Sequence, residues 1–385
     1  MDLLLWPLAF IGHLGSWCVI YNQTHATNWP RKIRKRIEKV VILAVQIPFF
    51  WIVLQMIRRR TFSYETLASN SNLENFYLFY SVIAGAYFFL QWAWRKFQKP
   101  PPALLSHTRQ MIDVQRELGR NLYHTTMGRF LQKIPFNRAH CIAIESIELA
   151  VKRLPSKLEG LRICHLSDFH LTGQIDLTYF ERLVDESNRL DPDVVFVTGD
   201  LMDELECLGW IRSIYGRLKA KHGVFFIRGN HDLRIEDQPL LMERLLASGM
   251  KWAGGGESHS IDINGCRVSL AGNELPWYDG AESLDAKSIP SADLRILLSH
   301  SPDQLQWAKP FDFDLIFAGH THGGQIALPL VGPIVAPSKH GVLYAAGTYQ
   351  IGDTVMRVSR GISGDECIRI NCPPELGYIT LRKAA

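Results

Sequence analysis

The sequence has no Cys-x-x-Cys pair, although it contains 7 cysteines. An odd number of cysteines without close pairs offers neither a disulfide framework nor a zinc ribbon, and fits a reducing compartment. Cys164, within an apolar run, reads as a core residue. There is no Gly-x-Gly-x-x-Gly and no P-loop, so Gly254-Gly255-Gly256 reads as a turn. No basic segment follows Met1-Asp2 and no twin arginine precedes the first apolar run, which points away from a secretory leader. Internal repeats and low-complexity tracts are absent as well.

Charge is scarce in three early stretches, Leu3–Tyr21, Val40–Ile57 and Phe76–Trp94. Each is near the roughly 20 residues that cross a bilayer. His13 interrupts the first. Two or three transmembrane helices are expected, with interfacial or buried helices as the alternative. Basic residues cluster in Arg31-Lys32-Ile33-Arg34-Lys35-Arg36, at Arg58, Arg59 and Arg60, and at Arg95, Lys96 and Lys99. The positive-inside rule favours a multi-pass inner-membrane protein with the first loop and the large C-terminal part in the cytoplasm. The arginines at 58–60 oppose that orientation.

The net charge is +4, of which residues 1–94 carry +5 and residues 95–138 carry +7, leaving −8 for the remainder. The basic segment suits an anionic lipid surface, and the acidic remainder argues against a nucleic-acid partner. Three parts follow: a membrane region over 1–99, a basic juxtamembrane linker over 100–141, and a C-terminal domain over 142–385. Pro100-Pro101-Pro102 ends whatever precedes it. Residues 103–118 read as an amphipathic helix near the membrane or a plain connector helix.

From Cys141 onward, strands and helices alternate. Ile142, Ile144, Ile147, Leu149 and Val151 suggest an opening strand with a bulge. Strands are expected at 161–166, 193–198 and 223–228, with helices near 177–189, 204–220 and 237–248. The near-continuous apolar strands imply a sheet covered on both faces. Shorter strands follow at 259–263, 267–272, 294–298, 314–318, 342–346, 355–358 and 376–382.

Five of the strands end in metal-binding residue types: Asp168 and His170; Gly199-Asp200; Gly229-Asn230-His231-Asp232; His300; and Gly319-His320-Thr321-His322. In an α/β fold, ligands collect at strand C-termini. A divalent metal pair needs about eight hard-oxygen and imidazole donors, often with one carboxylate shared. Asp200, alone after a tight glycine, suits the shared position.

Asp168-x-His170, Gly199-Asp200-x-x-Asp203, Gly229-Asn230-His231-Asp232, His300 and Gly319-His320-Thr321-His322 together resemble the signature of the calcineurin-like metallophosphoesterases. Leu154-Pro155, Gly160-Leu161-Arg162-Ile163, Gly323-Gly324-Gln325, Val358-Ser359-Arg360-Gly361 and Pro374-Glu375-Leu376 are similar to its membrane-associated YkuE-like and YaeI-like bacterial branch. The resemblance covers roughly residues 142–383. It implies a four-layer α/β/β/α sandwich preceded by the N-terminal helices. It implies that Asp168, His170 and His322 ligate one metal, that Asn230, His300 and His320 ligate the other, and that Asp200 bridges. His231 is implied as the unliganded histidine serving the phosphoryl oxygens or leaving group, oriented by Asp203. Gly361-Ile362-Ser363-Gly364 departs from the closer glycine pair of relatives.

The expected activity is hydrolysis of phosphate esters, most of all diesters, by a metal-bound hydroxide at two ions of manganese, iron or zinc. The alternatives are a lipid-linked pyrophosphate hydrolase acting on a nucleotide–diacylglucosamine, and a non-catalytic interaction module of the same fold. Asp232 reads as a turn residue, and His165 and His222 as ordinary. Arg228, Arg357 and Arg360 read as phosphate contacts or surface charges. Trp277-Tyr278 reads as a packed loop or the wall of an apolar substrate pocket.

Overall fold

The computed structural model describes residues 2–59, 72–284 and 291–384. Arg60, the last of the three arginines weighed in the orientation argument, lies outside the described residues. The chain divides into two compact units, residues 1–99 with 339–341, and residues 100–338 with 342–385.

In the first unit the three apolar stretches are helical, over Asp2–His25, Arg31–Arg59 and Asn72–Lys96. The first and third pack through glycine. A Cβ on Gly12 would meet Ser81 O at 1.8 Å, and one on Gly85 would meet Leu8 O at 1.8 Å. Such close backbone approach is how helices associate where water does not drive them together. His13 sits inside this packing, with Nε2 2.9 Å from Val45 O and Nδ1 against the Tyr77 hydroxyl. Its imidazole is satisfied by neighbouring helices, so a polar residue in mid-stretch is tolerated. Large apolar side chains point outward instead, among them Leu43, Ile47, Phe79 and Leu90. By length and composition, one described helix, Asn75–Lys96, is long and apolar enough to cross a membrane.

The second unit is built on two sheets. Its strands are β1 (Leu104–Asp113), β2 (Cys141–Val151), β3 (Arg162–Leu166), β4 (Val194–Thr198), β5 (Val224–Ile227), β6 (Lys251–Trp252), β7 (Ser258–Ile263), β8 (Cys266–Asn273), β9 (Leu294–Ser299), β10 (Leu315–Ala318), β11 (Ala327–Leu328), β12 (Gly332–Pro333), β13 (Gly347–Ile351), β14 (Thr354–Val358) and β15 (Glu375–Lys383). One sheet runs β1-β2-β15-β3-β4-β5-β6, the other β13-β14-β10-β9-β8-β7. Strands β3, β4, β5 and β6 are parallel neighbours, as are β8, β9, β10 and β14.

The apolar runs bury both faces because side chains alternate. Ile163, Phe196, Phe225, Ile296 and Phe317 meet in one core. Cys164, Val195, Val197 and Phe226 turn to the other face, where they pack with Phe180, Leu183 and Val184 of the helix Leu177–Arg189. A third cluster, with Ile316, Met356 and Phe311, covers the outer face of the second sheet. Mixed α/β architecture with parallel sheets is therefore the observed class.

Four expectations change. Residues 104–113 form strand β1, paired antiparallel with β2, and only 114–118 are helical. The segment 100–141 is thus tied to the second unit rather than hanging free of it. No bulge interrupts β2, whose register with β15 is continuous; the shift falls in β1 between Leu104 and Ser106. Residues 142, 144 and 147, 149 differ in parity because they serve opposite cores. The strand expected at 342–346 lies at 347–351, and the helical run 204–220 is broken into short helical turns.

Candidate metal centre

Parallel strands place their C-terminal ends on one edge. Asp168 follows β3, Asp200 follows β4, Asn230 and His231 follow β5, His300 follows β9 and His320 follows β10. Backbone bonds lace these turns together. Asp168 N donates to Gly199 O at 3.0 Å, His170 N to Asp200 O at 3.0 Å and Gly319 N to His300 O at 3.0 Å. Gly319 admits no side chain, because its Cβ would stand 1.8 Å from Ser167 Oγ and 2.5 Å from Asp168 Oδ2.

Five of the expected ligands hold a left-handed backbone: Asp168 (φ 53°), His170 (45°), Asp200 (53°), His320 (69°) and His322 (52°). Such a residue costs roughly 1 kcal/mol relative to ordinary backbone. Strain of this kind persists where the surroundings fix it, and it concentrates at functional sites.

The seven expected ligands converge. Asp168, His170, Asp200 and His322 present donor atoms within 4.8 Å of one another, and so do Asp200, His300 and His320. Asp200 belongs to both clusters. Asn230 Oδ1 lies 3.0 Å from His300 Nε2, adding an amide oxygen to the second. His322 Nε2 is 3.6 Å from Asp168 Oδ1, well inside the distance that ligands of one ion require.

The donor chemistry fits a cation. His300 Nδ1 donates to Thr198 O at 2.8 Å, which turns Nε2 toward Asn230 Oδ1 and Asp200 Oδ1, both acceptors. His170 Nδ1 is 3.0 Å from Asp203 Oδ2, and its Nε2 faces His322 Nε2 at 3.2 Å. Lone pairs facing one another require a positive charge between them, a proton or a metal ion. Asp200 Oδ2 is buried without a hydrogen bond. Burial opposes protonation of His170 and His300, yet Asp203 lifts the first to about 10 and Asp200 lifts the second to about 9. Burial would raise Asp200, but His300 and His231 hold it well below the usual carboxylate range. Burial, His170 and Arg369 push His322 down.

The structure brings His231 and Asp203 together. His231 Nδ1 is 3.1 Å from Asp203 Oδ1, and Nε2 lies 3.4 Å from an Arg234 guanidinium nitrogen. Asp203 thus orients a candidate ligand, His170, as well as His231.

Sequence reasoning missed the supports. Asp232, read as a turn residue, is fully buried; its carboxylate accepts from Leu201 N at 2.9 Å, Met202 N at 3.0 Å and Gly229 N at 2.7 Å. It fixes the turns carrying Asp200 and Asn230. Arg369, also buried, donates to His322 O at 3.0 Å and to Ser363 O. Arg234 grips Asp365 at 2.5 and 2.8 Å and reaches Asp203 at 3.2 Å. Trp277 packs on His320 and His300, at centroid distances of 4.7 and 5.2 Å. Arg228 pairs with Glu274 under the Tyr278 ring. Arg357 is bound to buried Glu375, and Arg360 to both Glu375 and Glu145. None of these three arginines is a surface charge. Arg234, Arg369 and Asp365 had no sequence signal at all, since nothing marks an exposed-loop carboxylate as a partner for Arg234 or a lone arginine as a buried brace.

A family profile described as calcineurin-like phosphoesterase matches residues 161–324. The chain belongs to the metallophosphoesterases, a family of phosphoester hydrolases. It is 30% identical to the metallophosphoesterase YkuE of Bacillus subtilis over 252 residues, covering 62% of this chain and 86% of that one. It is 30% identical to a bovine (Bos taurus) transmembrane protein with metallophosphoesterase domain over 239 residues, 57% of this chain and 52% of that one. Against the Escherichia coli phosphodiesterase YaeI it is 27% identical over 230 residues, 57% of this chain and 82% of that one. The chain therefore spans only about half the length of the bovine relative.

Proposed function

We propose that the chain is a membrane-anchored phosphodiesterase working at a two-ion centre. The observation that supports this most is the pair of donor clusters sharing Asp200. Asp168, His170, His322 and Asp200 would hold one ion; Asn230, His300, His320 and Asp200 would hold the other. Mixed oxygen and imidazole donors suit manganese, iron or zinc. When bound, such a pair activates water and neutralises charge at phosphorus.

The rest belongs to the protein. Asp203 fixes His231 Nδ1, which leaves Nε2 to protonate the departing oxygen. Arg234, beside that nitrogen, adds positive charge on the same side of the site. Trp277 seats the His300 and His320 rings, so their geometry is set before substrate arrives.

Membrane anchoring rests on the helix Asn75–Lys96, on the outward apolar side chains of residues 1–99, and on relatives named as transmembrane proteins. We read residues 1–99 as the membrane region of an inner-membrane protein, with the catalytic part cytoplasmic. The same anchor favours a second reading, a lipid-linked pyrophosphate of the nucleotide–diacylglucosamine kind as substrate.

Turnover of soluble aryl phosphodiesters, aryl monoesters and the lipid pyrophosphate by detergent-solubilised protein, with each candidate metal, separates these readings. Asp200→Ala should lose both bound metal and at least about 10²-fold in turnover. Full metal retention in that variant would defeat the shared-carboxylate reading. A wild-type protein that holds no metal and turns over no ester would be the non-catalytic module.

A further inference from the structure

Among the described residues, twelve non-glycine positions hold a positive φ, and all but two are Asp, Asn, His or Gln. The two exceptions are Phe136 (φ 65°) and Leu330 (φ 66°). They are 66% and 78% exposed. Glycine or asparagine would sit in either turn with less strain. A left-handed turn that displays a large apolar side chain is unfavourable twice over.

The two turns hang from one segment. Asn137 and Ile326 both bridge to Ile370. Asn371 N donates to Phe136 O at 3.4 Å, and its side chain donates to Ala327 O at 3.1 Å. Phe130 on one side, and Leu328, Val331 and Ile334 of the β11–β12 hairpin on the other, are exposed as well. The two turn-bearing segments are free of carboxylates, with no Asp or Glu between Glu117 and Glu145 or between Asp314 and Asp353; the segment they hang from carries Asp365 and Glu366 ahead of Ile370. Arg129, Lys133 and Arg138 are exposed within the first of the two acid-free segments. That contrasts with the −8 net charge of residues 139–385. The hairpin also begins at the metal-centre loop, since Gln325 follows His322 by three residues and its carbonyl accepts from Ile370 N at 3.0 Å.

We propose that this face is a lipid-docking surface, on which the catalytic unit rests against anionic headgroups with Phe136 and Leu330 entering the interface. Exposed apolar side chains on acid-free turns, with arginine and lysine beside them, match a bilayer of negative surface charge. The proposal concerns the catalytic unit alone and holds whether or not the N-terminal helices span. Its consequence is that the mouth of the metal centre opens at headgroup level, where a lipid phosphoester would present itself.

The test uses the full chain in vesicles of phosphatidylcholine and phosphatidylglycerol. Leu330→Cys, and separately Phe136→Cys, carry an environment-sensitive fluorophore; the unsubstituted chain supplies the background from Cys18, the remaining native cysteines being buried. Leu246→Cys, on the exposed face of the helix Gln238–Ala247, is the control. Both probes on the face should shift to the blue and be quenched by spin-labelled lipid at least about threefold more than the control. Equal quenching at all three positions overturns the proposal. So does energy transfer between probes that rises with protein density without lipid quenching, which would mean that a second copy covers the face. Carbonate extraction of the unlabelled chain reads the spanning helices separately. Extraction together with quenched probes would reject spanning and keep the docking surface.

Discussion

Removing the Asp203 carboxylate frees two imidazoles at once, because His170 and His231 both lean on it through Nδ1. Asp203→Asn should therefore weaken metal retention by roughly 10–100-fold and lower aryl diester turnover by at least about 10²-fold. Metal analysis after dialysis and steady-state rates check the two losses; a rate loss with full metal retention would confine Asp203 to His231. A second residue sets a pH dependence. Burial drives the pKa of His165, between the sheets, from 6.5 down to about 3. The unfolded chain then takes the proton first, so stability is complete above pH 6.5 and is lost as pH falls toward 3. Burial opposes ionisation of Glu375, but Arg357 and Arg360 hold it at about 2 against 4.5, so its own loss begins lower. Urea midpoints between pH 6.5 and 5 should fall in wild type, and the slope should flatten in His165→Gln. The ligands were legible because each stands just after an apolar run that the eye finds first. Asp232 was not, because a buried carboxylate serving three backbone amides has the same sequence as a surface turn, and Arg369 was not, because a buried guanidinium serving backbone carbonyls reads like a surface charge.

At the scale of elements, β1 is the instructive case. Of its ten residues only Ile112 is buried, so no alternation marks it as a strand. What holds it is the partner strand: Arg109 and His107 reach across to Glu145, a fully buried carboxylate on β2. Strands β3, β4, β9 and β10 were legible for the opposite reason, being buried on both faces. A chain beginning at Val114 leaves Glu145 with Arg360 alone and uncovers the β2 edge. It should melt several degrees below a chain beginning at Pro100, with metal in excess in both. Equal melting temperatures would make β1 an ornament of the sheet.

For the molecule as a whole, the proposed orientation rests on the basic loop at 31–36 and the basic residues Arg95, Lys96 and Lys99 that close the third apolar stretch. A reporter fused after Ala385 should behave as a cytoplasmic marker, and strong alkaline phosphatase activity from the same fusion would place the catalytic unit outside. The five left-handed residues of the candidate metal centre carry a further consequence at this scale. At roughly 1 kcal/mol each, their summed cost approaches the entire margin by which a small domain stays folded. On the proposed two-ion reading, ions that recognise only the assembled turns would offset it, and ion supply and protein lifetime would become one quantity. A cell short of the ion would forfeit the polypeptide itself, as unclasped turns open to proteolysis, and not merely the chemistry it performs.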